Sequence, residues 1–134
     1  SAVADALVPG DHGSTFGGNP VSCAAGAAVI EQVLAPGFLK DMNARAQYFY
    51  NGLTALPGKF PFIKEIRGRG LMLGLELEFE GADLVKEAYQ EGFIINCTNK
   101  NVLRFLPPLT ISEREIDRLL VLLDKLFRKR SGEL

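Results

Sequence analysis

Two places in this chain carry side chains that could hold an anion. One is a glycine-rich stretch with two hydroxyls, and the other is a lone arginine in an apolar run. Gly10 to Pro20 reads Gly-Asp-His-Gly-Ser-Thr-Phe-Gly-Gly-Asn-Pro. Four glycines in eleven positions fit neither a helix nor a strand, because glycine spends backbone entropy there and packs nothing. The stretch is therefore a shaped loop. Ser14 and Thr15 place two hydroxyls beside unobstructed glycine N–H groups. Such a loop can donate several hydrogen bonds to a phosphate, although on local chemistry alone it also fits a plain turn. Arg104 stands in Val102-Leu103-Arg104-Phe105-Leu106-Pro107-Pro108. A guanidinium inside an apolar strand needs water or a partner. It can point out of a sheet's polar face, or it can present its fork to a carboxylate ligand.

The elements that would position these groups follow from periodicity and capping. Asn19 is an N-cap and Pro20 fits the first helical position, so a helix is predicted from there to about Leu34. Its Cys23-Ala24-Ala25-Gly26-Ala27-Ala28 run suits close packing. A second helix is predicted over Phe38 to Leu56, with Leu39, Met42, Ala46, Phe49, Leu53 and Leu56 in one stripe. Phe62 to Arg67 reads as a strand, interrupted by Gly68-Arg69-Gly70. Leu71, Leu73, Leu75, Leu77 and Phe79 then alternate with Met72, Gly74, Glu76 and Glu78, the period of a strand with one buried face. A short helix is expected over Ala82 to Glu91, with Leu84, Val85, Ala88 and Tyr89 inward and Gly92 ending it. Phe93 to Asn96 and Val102 to Leu106 read as two strands joined by a polar turn. Ser112 and Glu115 form a capping box ahead of a final helix lined by Ile116, Leu119, Leu120, Leu123, Leu126 and Phe127. The expected fold class is two-layer α/β: a mostly antiparallel sheet of about four strands with helices on one face.

Composition excludes several function classes. The chain has 134 residues, 47% hydrophobic and 23% charged, which is ordinary for a globular domain. Its net charge of −1 gives no electrostatic case for nucleic acid, and the basic triplet Arg128-Lys129-Arg130 suits a helix C-terminus. No apolar run reaches the roughly 20 residues needed to span a bilayer. Ser1 to Pro9 lacks a basic start followed by an apolar block, so a cytoplasmic protein is expected. Cys23 and Cys97 have no metal spacing and are expected to be reduced thiols. His12 is the only histidine, so neither a histidine metal site nor a Ser-His-Asp triad is expected. Gly68, Gly70 and Gly74 do not make a dinucleotide fingerprint, since a strand follows where a helix is required. Glu76 and Glu78 read as a solvated sheet face, and Asn96-Cys97-Thr98 as a chance glycosylation pattern.

The wording of the glycine loop adds a resemblance. His12-Gly13-Ser14-Thr15-Phe16-Gly17-Gly18-Asn19-Pro20 closely resembles a segment of the class III (ornithine-type) pyridoxal-phosphate aminotransferases, most of all their acetylornithine-type branch. Leu103-Arg104-Phe105-Leu106-Pro107-Pro108-Leu109 and Arg67-Gly68-Arg69-Gly70-Leu71-Met72-Leu73-Gly74 resemble two further segments of that family, in the same order. The resemblance implies a role for each residue. Thr15 would hydrogen-bond the cofactor phosphate of a neighbouring subunit, Ser14 would lie at the substrate, and Arg104 would bind a substrate carboxylate.

It also implies pyridoxal 5'-phosphate as cofactor, amino-acid and 2-oxo-acid substrates and a homodimer. The implied fold is the C-terminal small domain of a fold-type-I transferase. On this reading residues 1–19 are the loop ending a large domain, 20–35 a connecting helix and 36–134 the small domain. The family's Schiff-base lysine, acidic partner and stacking aromatic all precede the glycine loop. No catalytic residue is therefore expected within this chain. It is expected to be the C-terminal portion of a longer enzyme and inactive alone. Ornithine, succinylornithine and 4-aminobutyrate remain open as amino donors beside N-acetylornithine. A stand-alone, non-catalytic binding or assembly module stays open as a second class.

Overall fold

The computed structural model describes residues 4–6, 8, 10 and 13–132. His12 and most of Ser1 to Pro9 lie outside the described residues. The chain divides into two compact units, Ser1–Phe38 and Leu39–Leu134.

The first unit holds a single 3₁₀ turn at Ala4–Ala6, the glycine loop and helix α1, Pro20–Leu34. Asn19 caps α1 as its sequence predicts: its side-chain oxygen accepts the Ser22 N–H at 3.0 Å. Proline occupies the first turn, where a missing N–H costs nothing. None of the fifteen residues of α1 is buried.

The second unit contains helix α2 (Phe38–Thr54, whose first residue belongs to the first unit), strands β1 (Ile63–Arg69) and β2 (Met72–Leu77), helix α3 (Ala82–Gln90), strands β3 (Asn96–Thr98) and β4 (Val102–Phe105), and helix α4 (Glu113–Ser131). The strands form one antiparallel sheet in the order β1-β2-β4-β3. Leu73, Leu75, Leu77, Leu103 and Phe105 fill one of its faces. They join one cluster with Phe49 and Leu53 of α2, Leu84 and Ala88 of α3, and Ile116, Leu123 and Phe127 of α4. Phe60 and Phe62 meet the Phe127 ring edge-on, with centroids 5.4 and 5.6 Å away. The fold class read from the sequence therefore holds: four antiparallel strands, with helices on one face.

Local details differ from the sequence reading. β1 runs through Gly68 to Arg69 rather than stopping at Arg67, and the turn falls at Gly70-Leu71. Gly68 sits at φ 144°, and a Cβ there would fall 2.1 Å from the Met72 carbonyl oxygen, so only glycine lets the two strands pair at this point. β3 comprises Asn96–Thr98, not Phe93 to Asn96. The expected strand residues Phe93 to Ile95 are irregular, and Ile94 is 90% exposed. Tyr89 faces outward, 71% exposed, because a nine-residue helix buries only the Leu84–Ala88 stripe. Leu122 is buried on α4, where Leu120 was expected and is half-buried. The capping box of α4 is complete: Ser112 Oγ accepts the Glu115 N–H at 3.3 Å, and Glu115 accepts the Ser112 N–H at 2.8 Å. Gly132 ends the helix in the left-handed conformation.

Candidate functional site

The glycine loop is shaped by its own hydrogen bonds. Ser14 Oγ accepts the Gly17 N–H at 2.9 Å. A side chain at position 17 would collide with Ser14, since an added Cβ would sit 2.9 Å from its Cβ and Oγ. Gly18 takes φ 73°, a conformation that favours glycine. Asn19 then ties the loop to the helix by donating to the Phe16 carbonyl at 2.7 Å and to Ser22 Oγ at 2.9 Å. Thr15 is exposed, and its hydroxyl has no partner among the described residues. Ser14 uses its oxygen as an acceptor and keeps its O–H proton to donate. Such donors fit a phosphate or carboxylate oxygen.

The sheet positions Arg104. The register sets four residues in one row across the face away from the helices: Arg67 on β1, Gly74 on β2, Arg104 on β4 and Asn96 on β3. Neighbouring strands lie about 4.8 Å apart, so Arg67 and Arg104 stand about 10 Å apart at the backbone. Gly74 adds no side chain of its own between them, and a Cβ there would press Val102 Cγ1 at 3.3 Å. The two arginines differ sharply in what they touch. Arg67 is clamped by Glu76 at 2.5 Å and Glu65 at 2.7 Å, and these two carboxylates, Glu76 first, hold its guanidinium more firmly charged than usual. Arg104 is exposed and has no hydrogen bond or ion pair among the described residues. A charged fork without a protein partner, on a rigid strand, is suited to a carboxylate.

Other candidates fall away. All seven lysines are exposed, and five of them pair with carboxylates: Lys59 with Asp124, Lys86 with Asp83, Lys100 with Glu80, Lys125 with Glu91 and Lys129 with Glu87. None occupies an enclosed site of the kind a Schiff-base amine requires. An apolar groove of about 470 Å³ runs beside Phe93, Ile94, Leu106 and Pro107. Its polar lining is already engaged, Glu115 in the capping box and Arg118 over the Phe93 ring at 5.5 Å. No cluster of metal-ligating side chains occurs among the described residues. No single described helix is long and apolar enough to cross a membrane. Cys23 and Cys97 are both free.

A family model for class-III aminotransferases matches residues 1–127. The chain belongs to the class-III aminotransferase family. It is 50% identical over 117 residues to the acetylornithine aminotransferase of Caldanaerobacter subterraneus, covering 87% of this chain and 30% of that protein. It is 50% identical over 127 residues to the acetylornithine aminotransferase of Methanocaldococcus jannaschii, covering 93% and 31%. Among solved structures, the ornithine aminotransferase of Toxoplasma gondii superposes with a TM-score of 0.83 at 34% identity, covering all of this chain and 33% of that one. The acetylornithine aminotransferase of Elizabethkingia anophelis gives 0.81 at 26% identity, covering 95% and 34%. The chain thus spans about a third of the length of the relatives it matches.

The glycine loop and the Arg104 strand singled out in the sequence thus both occur in a member of this family. The sequence reading did not find the row that Arg104 shares with Arg67, Gly74 and Asn96. The alternation of β2 placed Gly74 and Glu76 on one face, but strand order and register decide which residues flank them.

Proposed function

We propose that this chain is the C-terminal part of a pyridoxal-phosphate aminotransferase of the acetylornithine type. The whole enzyme would exchange an amino group between N-acetylornithine and 2-oxoglutarate, in arginine biosynthesis, as a cytoplasmic homodimer. Residues 1–19 would end its large domain, 20–35 would form the connecting helix, and 36–134 would form the small domain. The observation that carries the proposal is Arg104, exposed on the sheet face away from the helices and without a hydrogen bond or ion pair among the described residues.

Pyridoxal phosphate, when bound, supplies the electron sink for amino transfer. This chain's residues would bind and orient. Thr15 Oγ1 would donate to a phosphate oxygen from an exposed position in a loop that Ser14, Gly17 and Asn19 already hold in shape. Ser14 keeps a proton to donate toward the substrate. Arg104 grips a substrate carboxylate with two parallel N–H donors, which fixes the substrate's orientation as well as its affinity. The likeness to the ornithine aminotransferase of Toxoplasma gondii keeps ornithine as the alternative donor, with succinylornithine and 4-aminobutyrate behind it.

The test is Arg104→Ala in the full-length enzyme. A charge-assisted pair of this kind contributes about 1.5–3 kcal/mol, so a Michaelis constant for at least one substrate should rise roughly 10- to 100-fold. Unchanged constants for both substrates would remove Arg104 from the site. Thr15→Val should let cofactor escape faster on dialysis, followed by loss of its absorbance.

A further inference from the structure

The strand that carries Arg104 is short. β4 pairs with β2 over Val102–Phe105 and with β3 only over residues 102–104. It also starts from a turn that is costly to hold. Asn99 (φ 49°) and Lys100 (φ 68°) are the two non-glycine residues with positive φ among the described residues. Asparagine tolerates that conformation, whereas the lysine Cβ crowds its own backbone there. The tip is tied down by its neighbours. The Leu77 N–H donates to the Asn101 carbonyl at 2.8 Å, and Asn101 Nδ2 donates back to the Leu77 carbonyl at 2.8 Å. Leu77 and Asn101 each lie one residue beyond the Glu76–Val102 pair. The clasp therefore adds a rung to the β2–β4 ladder, and a side chain closes it. The Lys100 carbonyl is held as well, by the Gly81 N–H at 2.8 Å and the Cys97 thiol at 3.1 Å. Leu77 is fully buried, so its carbonyl has no ready access to water if the Asn101 amide is lost.

We infer that Asn101 is a positioning residue for Arg104: its clasp on Leu77 holds the left-handed tip closed and so fixes the strand from which Arg104 reaches its ligand. The inference rests on the reading that Arg104 binds a substrate carboxylate. Arg104 follows Asn101 by three positions. Without the amide donor, opening the tip relieves the strain at Lys100, and a strand of four residues frays from that end through Val102 toward Arg104. An arginine on a frayed strand must be ordered again when a carboxylate binds, which costs affinity. Asn101 does not touch the reacting atoms on this reading, so turnover of bound substrate is preserved.

The experiment is steady-state kinetics together with amide exchange on the full-length enzyme. Asn101→Ala should raise the KM of the substrate that uses Arg104 about three- to tenfold, the share of one hydrogen bond, with kcat within about twofold. Peptides spanning β4 should exchange faster in the same variant. Lys100→Gly turns the tip into Asn-Gly, the pair that left-handed two-residue turns favour. Added to Asn101→Ala, it should bring KM back to within about twofold of wild type and slow the β4 exchange again. Ser112→Ala weakens the fold at the α4 cap instead, and it should leave that KM unchanged. Asn101→Asp keeps the shape but loses the donor; it should raise KM likewise, and it serves if Asn101→Ala does not fold. Unchanged KM or unchanged β4 exchange in the Asn101 variants, a raised KM that Lys100→Gly leaves in place, or an equal rise in Ser112→Ala would overturn the inference. Arg104→Ala separates the two levels. If it raises KM while the Asn101 variants do not, the inference alone fails. If Arg104→Ala has no effect, the carboxylate reading fails and this inference falls with it.

Discussion

Helices α1 and α4 are both well capped, yet only one of them is held by packing. α4 carries charges on its wet side and buries Ile116, Leu119, Leu122, Leu123, Leu126 and Phe127. α1 has one charged residue, Glu31, and buries none of its residues, with Val29, Ile30 and Leu34 exposed. The difference teaches what a cap can and cannot do. A cap saves about 1 kcal/mol at one end, whereas an isolated helix of this length is marginal in water and draws its stability from a buried face. α1 has the composition of a buried helix without the burial, a surface suited to a partner.

The largest expected effect lies in the α4 core. Phe127 is fully buried and meets two other rings, so Phe127→Ala should cost about 3–5 kcal/mol in denaturant unfolding. Ile30→Ala, in the same 134-residue chain, should cost no more than about 0.5 kcal/mol. A large loss at Ile30 would break the contrast by revealing a burying partner for α1. Amide exchange sharpens the same point: α4 amides should exchange only through global unfolding, and α1 amides through local opening.

Much of this was legible in the chain, and the reasons are particular. The β2 alternation, the α2 and α4 stripes and the Ser112–Glu115 box are local patterns whose physics acts within a few residues. What escaped depends on distant neighbours. Tyr89 and Val85 look alike to a helical wheel, yet Val85 packs against the core and Tyr89 is exposed. Phe93 to Ile95 is as apolar as a strand, yet β4 pairs only with Asn96–Thr98. Arg104 could be singled out by type, whereas its row with Arg67, Gly74 and Asn96 required the order β1-β2-β4-β3. The triad that occupies Arg67 was invisible for the same reason. Glu65, Arg67 and Glu76 are unremarkable until two strands are paired.

A middle-sized effect belongs to the α4 cap. Ser112→Ala removes one half of the capping box and should cost about 1 kcal/mol, read as a shift in the unfolding midpoint at constant slope. The Ser112 hydroxyl, then the Ser112 backbone N–H, hold the Glu115 carboxyl below its ordinary value. A carboxylate lowered in the folded state stabilises fully above its unfolded value of about 4.3 and loses that contribution as pH falls through the lower folded value. The acid limb of the stability curve should therefore be shallower in Ser112→Ala than in wild type, with the two curves parallel above about pH 6.

The smallest effect tests whether charge helps hold α4 in place. Asp124 accepts from Arg128 at 2.7 Å, one turn along the same helix, and from Lys59 at 3.2 Å, in the turn after α2. Arg128 first of all pulls its carboxyl below the ordinary range; burial opposes this, and Lys59 adds to the lowering. Both cations are more than 40% exposed, so water and salt screen the pair and Asp124→Asn should cost no more than about 1 kcal/mol. By the same sign as Glu115, that contribution is complete above the unfolded value of about 3.9 and disappears below it. Measured at pH 7 and at pH 3, the difference between wild type and Asp124→Asn should shrink toward zero at the lower pH. It should also shrink in 1 M salt, where the screening length falls to about 3 Å. A difference that survives both conditions would mean that Asp124 acts through neutral hydrogen bonding or packing, and that α4 owes its place to its apolar face alone.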